Sequence, residues 1–331
     1  MSIRQRIIDA IEHRTTDKVP YHIRFTKPAR EKMADFYGDP NFETGLGNCL
    51  SVYRARRLAE VRPNVWRDEF GVEWDRTVDP DIGVVVNTLI TPQTLADFQF
   101  PDPDDPTLYS DFHTAGNNFG DTLAVAKLSY NLFERAWSLA GMENLLTTMM
   151  TDPQFVHALL DSITEYNLAV IDNVCKWNID AILFGDDWGH QGGLLMGPHL
   201  WREFIKPRIE RLYQAAKSHG KYVFIHCCGA VQELFDELIE CGLDVFNPFQ
   251  PEAMDVFEMK KQFGDRLTFY GGISTQMTLP FGSVSDVKEE VHRLLNEVGQ
   301  SGGFIAAPAH AIPPDAKPEN IATMIEVLHD Q

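Results

Sequence analysis

Membrane-length apolar runs are missing from this chain: nowhere in its 331 residues does a stretch approach the roughly 18 apolar residues that a helical span needs. Residues 1–10 read as an amphipathic helix without the apolar core of a secretion signal, so a cytoplasmic protein is expected. Cysteine is scarce. The five present are odd in number and two are adjacent, which does not make a disulfide framework and points to reduced thiols, with a metal as one use for them. Positive charge is in deficit, with 29 lysines and arginines against 48 aspartates and glutamates. A net charge of -19 argues against a nucleic-acid backbone or an anionic membrane as partner. Apolar residues are plentiful at 44%, enough for a full core, and the length suits one α/β barrel or two smaller domains.

The first third reads as elaboration. Residues 3–13 predict a helix, 19–25 a strand carrying His22 and Arg24, and Pro28 opens a helix that Gly38-Asp39-Pro40 closes. Residues 45–58 read as a further helix, and 66–90 as a hairpin or two short strands. Beyond residue 120 the texture becomes regular. Six apolar runs, from Leu123-Ala124-Val125-Ala126-Lys127-Leu128 to Gly303-Phe304-Ile305-Ala306, alternate with helix-length amphipathic segments, the pattern of βαβ units. With residues 19–25 this gives seven parallel-strand candidates, and 66–90 could supply an eighth. The expectation is a single (β/α)8 barrel over residues 1–331 with N-terminal helical and hairpin elaborations. An open doubly wound sheet is the alternative, but no Gly-rich phosphate fingerprint follows the first strand.

In a barrel of this kind the chemistry sits where strands end. The run Tyr222-Val223-Phe224-Ile225 ends on His226 and Cys228, and side chains two apart on a strand point the same way. His226 and Cys228 therefore converge while Cys227 points elsewhere, which suits two zinc ligands as well as it suits a hydrogen-bonded buried histidine beside a small apolar thiol. His310 ends another strand and is a third candidate ligand, leaving the fourth position of a catalytic zinc open. Asp186 and His190, past the strand 181–184, are candidates for a fourth ligand or for the hydrogen-bond partner of an imidazole, whereas Asp187 reads as a helix cap or surface carboxylate. Trp188, in the same loop, could stack on a flat substrate. Arg24 and His22 offer a cation and a donor, or an ion pair with an acidic neighbour. Gln250 and Gly271 follow two further strands as candidate substrate contacts, Gly271 permitting close backbone approach to a ligand or between packed elements.

Four motifs together resemble the uroporphyrinogen decarboxylase superfamily. They are His226-Cys227-Cys228-Gly229, Gly185-Asp186-Asp187-Trp188-Gly189, the run from Phe263 to Ile273, and Ala307-Pro308-Ala309-His310-Ala311-Ile312-Pro313-Pro314-Asp315. The resemblance covers most of the chain after about residue 120 and implies a (β/α)8 barrel. It is closer to the zinc-dependent corrinoid methyltransferases, of the methylcobamide:coenzyme M methyltransferase type, than to the metal-free decarboxylases. That branch implies zinc on a His-x-Cys pair, matched by His226 and Cys228, and on a distal Cys, whose place His310 takes here. It implies a methylcorrinoid carried by a partner protein, with Asp186 orienting a ligand or exchanging a proton and Arg24 holding a substrate carboxylate. A homodimer is compatible with it. The decarboxylase signature that grips substrate carboxylates is reduced to Arg24-Phe25-Thr26-Lys27-Pro28, so a porphyrinogen with eight carboxylates would meet one signature arginine, Lys27 and Arg30 on an acidic protein. The rivals are a metal-free decarboxylase or lyase acting on a small organic acid, and a non-catalytic carrier of a corrinoid or tetrapyrrole.

Overall fold

Alternation of side chains along seven strands builds two separate apolar layers, and the site grows out of the inner one. The computed structural model describes residues 1–116 and 119–331. Strands β1 (Leu50–Arg54), β2 (Leu123–Leu128), β3 (Ala181–Gly185), β4 (Tyr222–His226), β5 (Val245–Phe249), β6 (Thr268–Ile273) and β7 (Phe304–Pro308) form one parallel sheet in sequence order. Leu50, Val125, Leu183, Phe224, Val245, Tyr270 and Ile305 pack into a single cluster. Because this cluster joins residues of the first and last strands, the sheet is curled with these side chains inside. Their strand neighbours, Ala124, Ala126, Ile182, Phe184, Val223, Ile225, Phe246 and Phe269, belong to a second cluster shared with the covering helices. A parallel sheet covered on both faces needs such near-continuous apolar strands.

Residues 19–25 stand between the two edge strands without forming a regular strand. Tyr21 bridges Ala306 of β7, with His22 N–H donating to the Ala306 carbonyl at 3.0 Å and Ala306 N–H to Pro20 at 2.9 Å. On the other side Cys49 N–H donates to the Tyr21 carbonyl at 3.0 Å. Pro20 has no N–H to give a ladder, and the amide of Asn48 stands in for a strand by bonding both Ile23 N–H at 2.7 Å and the Ile23 carbonyl at 3.0 Å. In place of the regular eight-stranded barrel that was expected, the described residues form a curled seven-stranded parallel sheet with an irregular, side-chain-stitched segment at its edges. Asn48→Ala should cost about 1–3 kcal/mol by leaving the buried Ile23 backbone unpaired, measured as a fall in the urea midpoint. An unchanged midpoint would show that water replaces the amide.

Two N-terminal expectations need correction. Residues 45–58 are not helical: a short turn at Phe42–Gly45 leads into β1, whose alternation of Leu50 and Val52 with Ser51 and Tyr53 suits a strand paired along its whole length with β2. Nor does 66–90 supply an eighth barrel strand. It contributes to a separate four-stranded antiparallel sheet of Leu58–Arg62, Val65–Asp68, Glu73–Asp75 and Val84–Val85. Asp68 ties that sheet to the helix Phe133–Ala140, accepting from Arg135 at 2.6 Å and Trp74 Nε1 at 3.2 Å, while the Arg135 guanidinium lies 4.1 Å from the Phe70 ring centroid. Among the described residues no helix is long and apolar enough to cross a membrane.

Candidate metal centre and cation-lined cavity

Continuing the inner alternation past each strand's apolar part places the polar residues. On β1 the series Leu50, Val52 leads to Arg54 and Arg56; on β2, Leu123 and Val125 lead to Lys127 and Ser129. On β3, Ala181 and Leu183 lead to Gly185 and Asp187; on β4, Tyr222 and Phe224 lead to His226 and Cys228. All of these except Cys228 line one cavity of about 570 Å³ together with His310, Arg24, His22 and Glu134, or form its apolar floor.

His226, Cys228 and His310 present ligand atoms that lie within 4.8 Å of one another. Cys228 Sγ is 3.6 Å from His226 Nε2, inside the roughly 3.3–3.8 Å that separates ligands on a tetrahedral zinc with bonds of about 2.0–2.3 Å. Asn247, in register with His226 on the next strand, accepts from His226 Nδ1 at 2.5 Å, and its own amide is oriented by the Tyr270 carbonyl at 2.9 Å. That bond puts the ring proton on Nδ1 and leaves Nε2 bare toward Cys228. Burial, then Lys127 and His310, push the His226 pKa well below its ordinary value, and burial followed by Arg24 lowers that of His310. Both shifts favour the neutral ring, the form that a ligand must take. Burial and the neighbouring Asp187 raise the Cys228 thiol, so a thiolate there needs a bound cation. Beside His226 and His310 a gap of about 10 Å³ is walled by His22, Arg24, Asn247 and Tyr270.

Several expected contacts fall elsewhere. Asp186 lies on the outer side of β3 and is fully buried: its carboxylate accepts the backbone N–H groups of Leu132, Phe133 and Glu134 at 3.3, 3.1 and 2.8 Å, and the Trp188 indole N–H. It caps the helix Phe133–Ala140 and does not line the cavity. Burial pushes its pKa up to about 6 against those four donors. Asp187, expected at the surface, takes the inner place and accepts Cys228 N–H at 2.8 Å. Trp188 is not in the mouth but wholly buried, edge-on to Trp201, because the same alternation that aims Asp187 inward aims its neighbours outward. Gln250 is buried and holds the turn after β4, accepting Gly229 N–H at 3.0 Å. Gly271 serves strand packing: at φ +142° a Cβ would come within 2.7 Å of the Phe249 backbone nitrogen. His190 is exposed and accepts Gly192 N–H at 3.0 Å, outside the ligand set. Arg24 and His22 do face the cavity, His22 with a buried Nδ1 that has no partner and a pKa lowered to about 3 by burial and then Arg24.

The chain also brings in residues that no motif announced. Arg54, Arg56 and Lys127 line the cavity with Arg24, and none of the four has a carboxylate within ion-pair distance among the described residues. The interior is therefore rich in unpaired cations within a chain of net charge -19. The cations that a porphyrinogen's carboxylates would meet were counted as Arg24, Lys27 and Arg30; Arg54, Arg56 and Lys127 face the cavity as well.

The profile of the uroporphyrinogen decarboxylase (URO-D) family matches residues 77–331. The chain belongs to this family. A methylcobamide:CoM methyltransferase of Methanosarcina barkeri is 28% identical over 191 residues, covering 57% of this chain and 53% of that protein. A uroporphyrinogen decarboxylase of Chlorobium limicola is 25% identical over 215 residues, covering 61% of this chain and 58% of that protein. The chain thus spans little more than half the length of these curated relatives. Among solved structures, a methyltransferase from Methanosarcina mazei superposes with a TM-score of 0.73 over 100% of this chain and 99% of that one at 18% identity, a likeness of fold. Family membership agrees with the resemblance carried by the four motifs.

Proposed function

We propose that this family member is a zinc-dependent methyltransferase that moves a methyl group between a small molecule and a corrinoid held by a separate protein. The observation that carries the reading is the trio His226, Cys228 and His310, with ligand atoms within 4.8 Å at the open end of the barrel. Similarity to the Methanosarcina barkeri methyltransferase supports it. Zinc held there would supply a Lewis acid with an open position, able to keep a thiol ionised or polarise a methylated heteroatom. The chain's own groups do the rest. Asn247 fixes the His226 tautomer; Asp187, beside Cys228, is placed to take the thiol proton when a cation binds; Arg24 faces a substrate from across the same cavity. Proton exchange thereby passes from Asp186, which is occupied as a cap, to Asp187. Glu134 also faces the cavity, where burial, then Asp187 and Asp186, raise its pKa and favour the protonated acid, the form that could donate to a leaving heteroatom.

The test is methyl transfer from a methylcorrinoid, followed by the corrinoid's visible spectrum, with zinc-loaded and zinc-stripped protein side by side. Transfer should require zinc; equal rates would refute the reading. Two variants test the third ligand. His310→Cys should keep zinc, because zinc accepts nitrogen and sulfur in one tetrahedral site, and His310→Ala should weaken it. Zinc bound by His310→Ala as tightly as by the parent would move the ligand elsewhere. Asn247→Ala should weaken zinc about 10- to 100-fold through a freed imidazole, checked by competition with a chelator.

The cation-lined wall favours one alternative, a metal-free decarboxylase or lyase acting on an organic acid. A protein that binds no zinc and releases CO2 from such a substrate would select it.

A further inference from the structure

The walls of the cavity are charged unevenly. At its outer rim Arg30 pairs with Glu43 at 2.8 Å, while Asp81 and Asp79 accept backbone N–H groups, Asp81 from Lys27 at 3.1 and 3.2 Å and Asp79 from Asp81 and Ile82 at 3.0 and 3.2 Å. Deeper in the cavity Arg24, Arg54, Arg56 and Lys127 stand together, and among the described residues none of them has a carboxylate within ion-pair distance. Arg54 and Lys127 are paired in register on adjacent strands, so their side chains stand about 5 Å apart at the base, and Arg56 follows two residues on along the same side. Like charges this close repel unless something of opposite sign is placed between them.

We propose that Arg54, Arg56 and Lys127 form a binding site for a dianionic group of the small-molecule substrate, either a phosphate or a pair of carboxylates. The identity of the substrate's other end rests on the methyl-transfer reading; the anion site itself stands on the cation cluster. Two guanidinium forks and one ammonium on one wall of the cavity suit a group with several acceptor oxygens and two charges, since arginine binds such groups with paired hydrogen bonds. Lys127 reports the missing partner. Burial, then Arg24, Arg54 and Arg56, lower its pKa to about 7, and a bound dianion would restore its charge. Burial followed by Arg56 and Arg24 lowers the pKa of Arg54 in the same way.

The position also fixes the shape of the molecule. Lys127 lies on β2 and His226 on β4, two strands along the sheet, so the anionic group sits on the order of 10 Å from the metal ligands. The substrate is then elongated, with its charge at one end and its methylated or thiol heteroatom at the other. A cationic methylamine as donor is disfavoured by the same wall.

Calorimetric titration tests the site with three probes, inorganic phosphate, succinate and acetate, in a buffer free of other multivalent anions. One of the two dianions should bind one per chain, at least tenfold more tightly than acetate, and which one does so names the source of the charge. Arg54→Gln combined with Arg56→Gln should weaken it at least about 30-fold, the loss expected when hydrogen-bonded charge partners are removed. Because these side chains have no carboxylate to lose, the double variant should melt no lower than the parent in the absence of anion and should hold the same zinc. Dianions that bind no better than acetate, or equally to both proteins, would overturn the proposal. Anion binding as expected in a protein that holds no zinc would uphold the site and refute only the methyl-transfer reading.

Discussion

Replacing Cys228 with alanine should remove most of the zinc, and replacing Cys227 should leave it in place. The two thiols are adjacent in sequence and opposite in the fold. Cys228 Sγ stands 3.6 Å from His226 Nε2 in the open trio, whereas Cys227 is fully buried in the layer between sheet and helices and its sulfur accepts Trp188 N–H at 3.3 Å. Structural zinc sites of four ligands bind with about 10–16 kcal/mol, so one ligand carries roughly 3–4 kcal/mol and its loss weakens zinc by about 100- to 1,000-fold. Cys227→Ala removes a sulfur from a packed core and should lower stability by about 1–2 kcal/mol without touching the metal. Metal analysis after dialysis against a weak chelator separates the two. Equal retention by both variants would refute the ligand assignment.

The second large effect is on folding. Asp186→Asn should destabilise the protein by several kcal/mol and leave the zinc content of the folded fraction unchanged. The carboxylate accepts from three backbone N–H groups at the start of the helix Phe133–Ala140 and from the Trp188 indole, all buried. An asparagine keeps one acceptor and aims an NH2 at groups that are themselves donors, leaving buried N–H groups unpaired at about 1–3 kcal/mol each. The variant should loosen the helix terminus and the end of β3 together. Denaturant melts measure the loss. Parent-like stability with a fall in turnover alone would return Asp186 to the chemistry.

The contrast between Asp186 and Asp187 shows what the sequence could have yielded. The rule that sorted Cys228 from Cys227, two residues per strand repeat, sorts the aspartates as well: 181, 183, 185 and 187 face inward, and 186 and 188 do not. His226, Cys228 and His310 were legible because strand ends in a parallel barrel gather at one mouth and because these residue types have few other reasons to converge there. Arg54 and Arg56 were hidden by the reading of residues 45–58 as a helix. Leu50 and Val52 alternate for too few residues to announce a strand, and only pairing with Leu123–Leu128 makes them one. Lys127, a charged residue late in an apolar parallel strand, was a visible anomaly that pointed inward. Glu134 and Asn247 left no local signal, since one is placed by a helix cap and the other by its register with His226. Irregularity near residue 21 followed from Pro20 and the Asn48 amide, a long-range stitch that local pattern does not encode.

The most direct measurement is zinc-edge X-ray absorption on the protein as purified. Two nitrogen ligands at about 2.0–2.1 Å and one sulfur at about 2.3 Å, with a fourth light-atom neighbour, are the shell that His226, Cys228 and His310 predict. A shell without sulfur, or a protein that holds no zinc at all, would contradict the account.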